Sequence, residues 1–387
     1  MDAVDAQMAV DRLVTAALTG SRADWDTGVA AVDPTSATRL SLLFDNLRAV
    51  APARLRLRLT GVEQELPAAR RAVLGPDARA VQARLDWRLP GERADATSTV
   101  WLTLVPGTTG PRLAGTDDGP QGGTDGGSDA GAEPDPVPLL WLAPTVRATR
   151  GDVTVLAGTG QDATRWLDLA VRAAADARTH LPEPLRGRWD GHLVVEVPGS
   201  GADLARVLGA APTTYATTAA VTRPEGPTTD AAVRVVVNPA TAAQPDDALG
   251  ATLVHETVHV ATRSAASPAP LWAVEGLAEH VALAAHPGQR GADLAALRTG
   301  GAPTALPDDA AFATGGADVG AAYAQAWLLC ETVVDRRGED DLGRFYAALD
   351  TGSPVDDAAR SALGVDESTL VGWWRDALRR ATADGGG

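Results

Sequence analysis

The chain has 387 residues, 45% of them hydrophobic, which is enough for two domains with a core in each and excludes a protein disordered throughout. A formal net charge of -16 disfavours nucleic acid, since phosphate binding needs a basic surface that displaces condensed counterions. Cys330 is the only cysteine, so intrachain disulfides and cysteine metal clusters are excluded and histidine and carboxylate are left as metal ligands.

Residues 3–18 space Met8, Val14 and Leu18 as a helix does, and 36–50 give a second helix with Leu40, Leu43, Phe44 and Leu47 on one side. The period then changes to two. Leu55, Leu57 and Leu59 alternate with Arg54, Arg56 and Arg58, and the alternation returns through Val81 to Leu89 and Val100 to Leu104. These elements predict helices packed on an antiparallel sheet. Their order resembles the cystatin-like cone of nuclear-transport-factor-like domains.

Residues 107–138 are rich in Gly, Asp, Pro and Thr, and Gly115 to Pro138 has almost nothing to bury, so a disordered loop is expected there. Leu139 to Leu142 and Val146 read as further strand, which makes the loop an excursion between two strands of the first domain. The expected division is an N-terminal α+β accessory domain over 1–148 and a second α+β domain over 149–387. In the latter, 153–156, 192–197 and 233–237 read as strands and 164–178 and 202–208 as helices. Val233 to Val237 fits an edge strand that takes an extended peptide by strand addition, or a central strand. Asp246 and Asp247 are candidate caps for the helix that follows.

That helix carries His255-Glu256-Thr257-Val258-His259, within an uninterrupted run from 251 to 262 flanked by Leu253, Val254, Val260 and Ala261. Two histidines four apart face the same way on a helix. Downstream, Pro268 and Pro270 break the chain before Trp272-Ala273-Val274-Glu275-Gly276-Leu277-Ala278-Glu279, which puts Glu275 and Glu279 on one face of a second helix. A carboxylate from that helix completes a three-ligand zinc site with one position open.

The two segments together resemble the gluzincin metallopeptidases, in particular the peptidase-MA-like group, whose second motif reads Trp-x-x-Glu-Gly-x-Ala-Glu. The likeness extends over about 150–380. It implies a zincin-like metallopeptidase domain with an active-site helix, and Zn2+ held by His255, His259 and Glu275. It also implies that Glu279 orients a ligand histidine through its other ring nitrogen. Fifteen residues separate His259 from Glu275, a short interval for the group that makes the connection tight. Glu256, beside His255 but not a ligand, is the expected general base for a zinc-activated water. Ala322 to Leu329 resembles the Tyr-x-Gln helix of the group. It offers Tyr323 as an oxyanion donor, and a core tyrosine packing two helices fits the same residue. Helices around Gly338, Leu342, Gly364 and Trp373-Trp374 are expected to cover the active-site helix.

The remaining histidines receive structural readings. His192 opens a strand, His180 and His286 end helices, and His280 lies about 100° around its helix from Glu279 and points away from the metal. The expected function is a zinc-dependent metallopeptidase acting on a peptide or protein substrate. The alternative is a non-catalytic zinc-containing binding or scaffold protein whose N-terminal domain recognises a ligand. Zinc chemistry on a bond other than a peptide is also open.

Asp2, Asp5, Asp11, Arg12, Arg22 and Asp24 interrupt the first 25 residues, which do not read as a signal peptide, and no window reaches the ~18 apolar residues of a membrane span. As written the chain reads as cytoplasmic, and as extracytoplasmic if a leader or anchor lies outside it. Substrate specificity and oligomeric state leave no mark in the sequence.

Overall fold

The computed structural model describes residues 2–116, 118–119, 135–299, 303, 305–313 and 318–383. Helices α1 (Ala3–Thr19), α2 (Arg22–Gly28) and α3 (Pro34–Val50) come first. Asp2 and Asp33 cap α1 and α3 by accepting backbone N–H groups of their first turns. Strands β1 (Arg54–Gln64), β2 (Arg79–Arg88), β3 (Ala96–Val105) and β4 (Arg112–Gly115) form an antiparallel sheet in chain order, with α4 (Ala68–Leu74) between β1 and β2. Leu57 pairs with Leu85 and Ala83 with Val100, so the alternating apolar residues share one face and bury Val10, Leu13, Leu43 and Leu47 of α1 and α3. The side chain of Gln7 donates to Leu57 O (2.9 Å) and accepts from Leu59 N (2.9 Å), satisfying part of the backbone edge of β1.

The chain continues through α5 (Leu139–Leu142), β5 (Val146–Arg150), β6 (Val153–Ala157), α6 (Ala163–His180), α7 (Glu183–Arg186), β7 (Leu193–Val197), α8 (Gly201–Leu208), β8 (Ala220–Pro224) and β9 (Val233–Val237). The second sheet has the order β5-β6-β7-β9-β8, with β6, β7 and β9 parallel and the two outer strands antiparallel to their neighbours. Helices α9 (Asp246–Thr262), α10 (Leu271–Ala285), α11 (Arg290–Thr299), α12 (Val319–Arg337), α13 (Glu339–Asp350), α14 (Val355–Leu363) and α15 (Glu367–Ala383) complete the chain. The architecture is α+β, a helix-backed antiparallel sheet followed by a mixed sheet with helices. No helix among the described residues is long and apolar enough to cross a membrane.

Several expectations change. Leu139–Leu142 is a helical turn rather than a strand, because Asn46 donates to the carbonyls of Leu140 and Ala143 (both 2.7 Å) and pins it end-on to α3. Val146 does open a strand, but in the second sheet, so the Gly/Asp-rich segment connects the two sheets and a division at 148 falls inside β5. Within 107–138, Arg112–Gly115 is a strand, held by pairing to β3; residues 117 and 120–134 lie outside the described residues. Val233–Val237 is internal, and the edge strand beside it is β8. The C-terminal helices pack chiefly on α10, α11 and on one another rather than on α9.

The central strands of the second sheet are buried on both faces and therefore read as continuous apolar runs. Val155, Val195 and Val235 face Trp166 of α6 and Leu253 and Val254 of α9, whereas Leu156, Val194 and Val236 join the core of the N-terminal half. Arg234 on β9 is fully buried at that second face. It makes two bonds to Glu92 (2.9 and 3.0 Å) and one to Glu196 (3.0 Å), with its guanidinium 4.0 Å from the centre of the Trp87 ring. Burial pushes the Glu196 carboxyl up to about 7 against the pull of Arg234.

A second ion cluster, centred on the buried His280, joins three helices. His280 of α10 bonds Glu331 of α12 through Nδ1 (2.7 Å) and Glu339 of α13 through Nε2 (3.0 Å). Burial alone would lower its pKa, but the two carboxylates overcome it and the imidazole is pushed up to about 9. A folded-state pKa raised above the unfolded ~6.5 contributes stability that is complete below that value and is lost as pH rises through about 9. His280→Gln should therefore lose about 2 kcal/mol of unfolding free energy at about pH 6. In urea melts that gap should close above about pH 10; a gap of constant size would show that the charge contributes nothing.

Candidate metal centre

Helix α9 begins at Pro245, whose side chain caps nothing, and Asp246 and Asp247 occupy its first turn instead of the cap position. There they complement the helix dipole. Asp246 pairs with Arg165 (2.7 Å), and Asp247 accepts from His286 (2.8 Å) and Gln289 (2.6 Å). Twelve of the seventeen residues of α9 are buried, among them His255, Glu256 and His259. The helix ends at Arg263, which holds a left-handed φ of 53° and donates to the carbonyls of Thr229 (2.6 Å) and Ala231 (3.0 Å). This non-glycine turn folds the chain back so that Ser264 Oγ sits 3.0 Å from His259 Nδ1.

Helix α10 packs on α9 and on α12. It approaches α12 closely at Gly276, where a Cβ would lie 2.6 Å from the Ala326 carbonyl oxygen and 3.1 Å from Cys330 Sγ. Glu275, the preceding residue, reaches the two histidines: its Oε2 is 3.1 Å from His255 Nε2 and 3.3 Å from His259 Nε2, and the two Nε2 atoms are 3.1 Å apart. Three donors at 2.0–2.1 Å from one tetrahedral ion are separated by about 3.3 Å, so this triangle has the size of a zinc-type coordination face. The outer nitrogens are occupied by other partners. His255 Nδ1 is 2.9 Å from Glu279 Oε2 and His259 Nδ1 faces Ser264, so neutral rings with N–H groups at Nδ1 would turn both Nε2 lone pairs to the shared side.

The electrostatics follow from this crowding of carboxylates. Burial disfavours a charged His255, but hydrogen bonds to Glu275 and Glu279 win and hold its pKa well above the ordinary imidazole value. Burial would raise the Glu275 carboxyl, yet the two histidines hold it far below the carboxylate range. Asp293 of α11 is pushed up to about 6 by burial and by the charge of Glu279. Tyr323, near the start of α12, packs its ring tilted against His255 at 5.9 Å and edge-on to Phe312 at 5.5 Å. Burial and the charges of Glu275, Glu256 and Glu279 raise its hydroxyl pKa, so it stays protonated. No protein-family model and no curated protein matches the chain.

Of the six residues singled out in the sequence, His255, His259, Glu275 and Glu279 touch one another and Tyr323 lies beside His255, while Glu256, buried on α9, is bonded to Thr222; His255, His259 and Glu275 form the one group suited to holding a metal among the described residues. Thr222, Ser264 and Asp293 join them unforeseen. Thr222 Oγ1 donates to Glu256 Oε2 at 2.6 Å. No periodicity marks β8, whose Ala-Val-Thr-Arg-Pro carries little apolar alternation, and Ser264 depends on the left-handed turn at Arg263. His280 points away from the cluster as expected, and His286 ends α10.

If the triangle holds a zinc ion, Glu279→Ala should weaken its binding about 10- to 100-fold while leaving the fold intact, because Glu279 fixes the ring of His255 from outside the triangle. Competition titration against a zinc chelator measures this, and unchanged affinity would remove Glu279 from the site.

Proposed function

We propose that this chain is a metal-dependent peptidase of gluzincin type, with His255, His259 and Glu275 holding a zinc ion and Glu256 as general base. The observation that carries the reading is the convergence of two Nε2 atoms and one carboxylate oxygen on a common point, with a buried carboxylate next to His255 in sequence. Zinc in such a site supplies a Lewis acid that lowers the pKa of water toward ~7 and polarises a carbonyl.

The protein residues divide the remaining work. Glu256 takes a proton from the attacking water at its carboxylate and passes it to the departing amine. Tyr323 donates its hydroxyl proton to the oxygen on which negative charge develops, a part suited to a group held protonated. The free edge of β8 runs alongside α9 and offers unpaired backbone groups to an extended peptide, so strand addition belongs to β8 and not to β9. The resemblance of the two sequence segments to the peptidase-MA-like group supports the same assignment.

Metal analysis should find one zinc per chain in the wild type and in Glu256→Gln, and none in Glu275→Ala. With a broad peptide library, Glu256→Gln should lose cleavage by at least ~10²-fold while keeping its metal. Full hydrolysis by Glu256→Gln would overturn the proposal, and bound zinc without cleavage of any library member would favour the binding or scaffold protein instead. Tyr323→Phe should retain zinc and fold and lower kcat by about 10²-fold; an unchanged kcat would return Tyr323 to a packing role.

A further inference from the structure

The geometry points to Thr222 as the positioning residue that fixes the Glu256 carboxylate, through a single hydroxyl projecting from the edge strand β8. This rests on the reading of Glu256 as the base. Thr222 lies opposite Val235, and Val235 belongs to the core under α9, so its side chain leaves the sheet toward the same helix. Its Oγ1 is 2.6 Å from Glu256 Oε2 and 3.1 Å from the Glu256 main-chain oxygen. The hydroxyl has one proton, and the shorter, charge-assisted contact takes it.

The fold does not require that hydroxyl. Valine has the same shape and at least the same preference for a strand, so packing alone is satisfied without it. What the oxygen adds is a donor aimed at one particular carboxylate oxygen, on a helix whose neighbouring side chains are buried. Glu256 needs such a restraint, since its side chain retains rotamer freedom and a displacement of about 1 Å from the reacting geometry costs on the order of 10²-fold in rate. Because the restraint comes from β8, the strand that lies along α9 and carries the free edge, the orientation of the base is tied to the position of that strand.

The test compares Thr222→Val and Thr222→Ser in the full chain, with zinc content, kcat and KM on a cleaved library peptide, and the infrared carboxylate stretch of Glu256, isolated by difference against Glu256→Gln. Thr222→Val should bind zinc as the wild type does, keep KM within about threefold and lose about 10²-fold in kcat, with the Glu256 band shifted. Thr222→Ser should restore both kcat and the band. An unshifted band and unchanged kcat in Thr222→Val, or a Thr222→Ser variant as impaired as Thr222→Val, would overturn the assignment. If the wild type cleaves no peptide, the peptidase reading fails separately, and the band still decides whether Thr222 holds Glu256.

Discussion

The close approach of α10 and α12 at Gly276 is the contact on which the centre depends. Any side chain there would drive into the Ala326 carbonyl and Cys330, and the helices would separate. Glu275 is fixed to one side of that contact, and Tyr323 lies one turn before Ala326 on the other helix. A single missing Cβ therefore sets the spacing between the helix that carries Glu275, a candidate metal ligand, and the helix that carries Tyr323. Close-packed interiors transmit such a displacement rather than absorb it. On its other side α10 packs on α9, so the two-histidine helix lies in the same stack.

Charge supplies the second constraint. Glu275 and Glu279 contact the two imidazoles, with Asp293 close enough to feel Glu279 and His255, and the shifts at His255, Asp293 and Tyr323 all have the sign that neighbouring carboxylates produce. A divalent cation among these groups would neutralise what the imidazoles alone leave unbalanced. The far side of α10 solves an analogous problem with protein groups only: His280 sits between Glu331 and Glu339 with both ring nitrogens used and none left for a ligand. The two histidine sites, one on α9 and one on α10, thus differ in whether their nitrogens converge on a shared point or are consumed singly.

Much of this was legible in the sequence, and the parts that were not have physical reasons. The histidine spacing on α9 and the carboxylate spacing on α10 are local properties of a helix, so the pairs His255/His259 and Glu275/Glu279 could be picked out before any tertiary contact was known, and the choice of Glu275 as third ligand came from the motif resemblance. The alternating leucines of β1 to β3 were readable because one face of that sheet is buried and the other is not. Leu139–Leu142 misled because four apolar residues suit a strand and a helical turn equally, and the decision belongs to Asn46, more than ninety residues away. Thr222 was invisible for a related reason: its importance lies in a partner on another element, not in its neighbours along β8. The position of β9 inside the sheet likewise follows from the order of strands, which local pattern does not encode.

Arg234 bears on how the chain can be divided. Its guanidinium belongs to the sheet that backs the metal helices, yet two of its hydrogen bonds and its stacked ring come from Glu92 and Trp87 in the N-terminal half. A fragment that began after residue 148 would leave this cation paired only with Glu196 and would expose Leu156, Val194 and Val236 to water. Removing one partner of a buried pair costs about 3–5 kcal/mol, which is much of the margin by which a domain stays folded. The N-terminal half is therefore an outer wall of the second sheet as much as a module attached to it. Trimming the chain to its zinc-motif helices would remove the support on which their geometry rests.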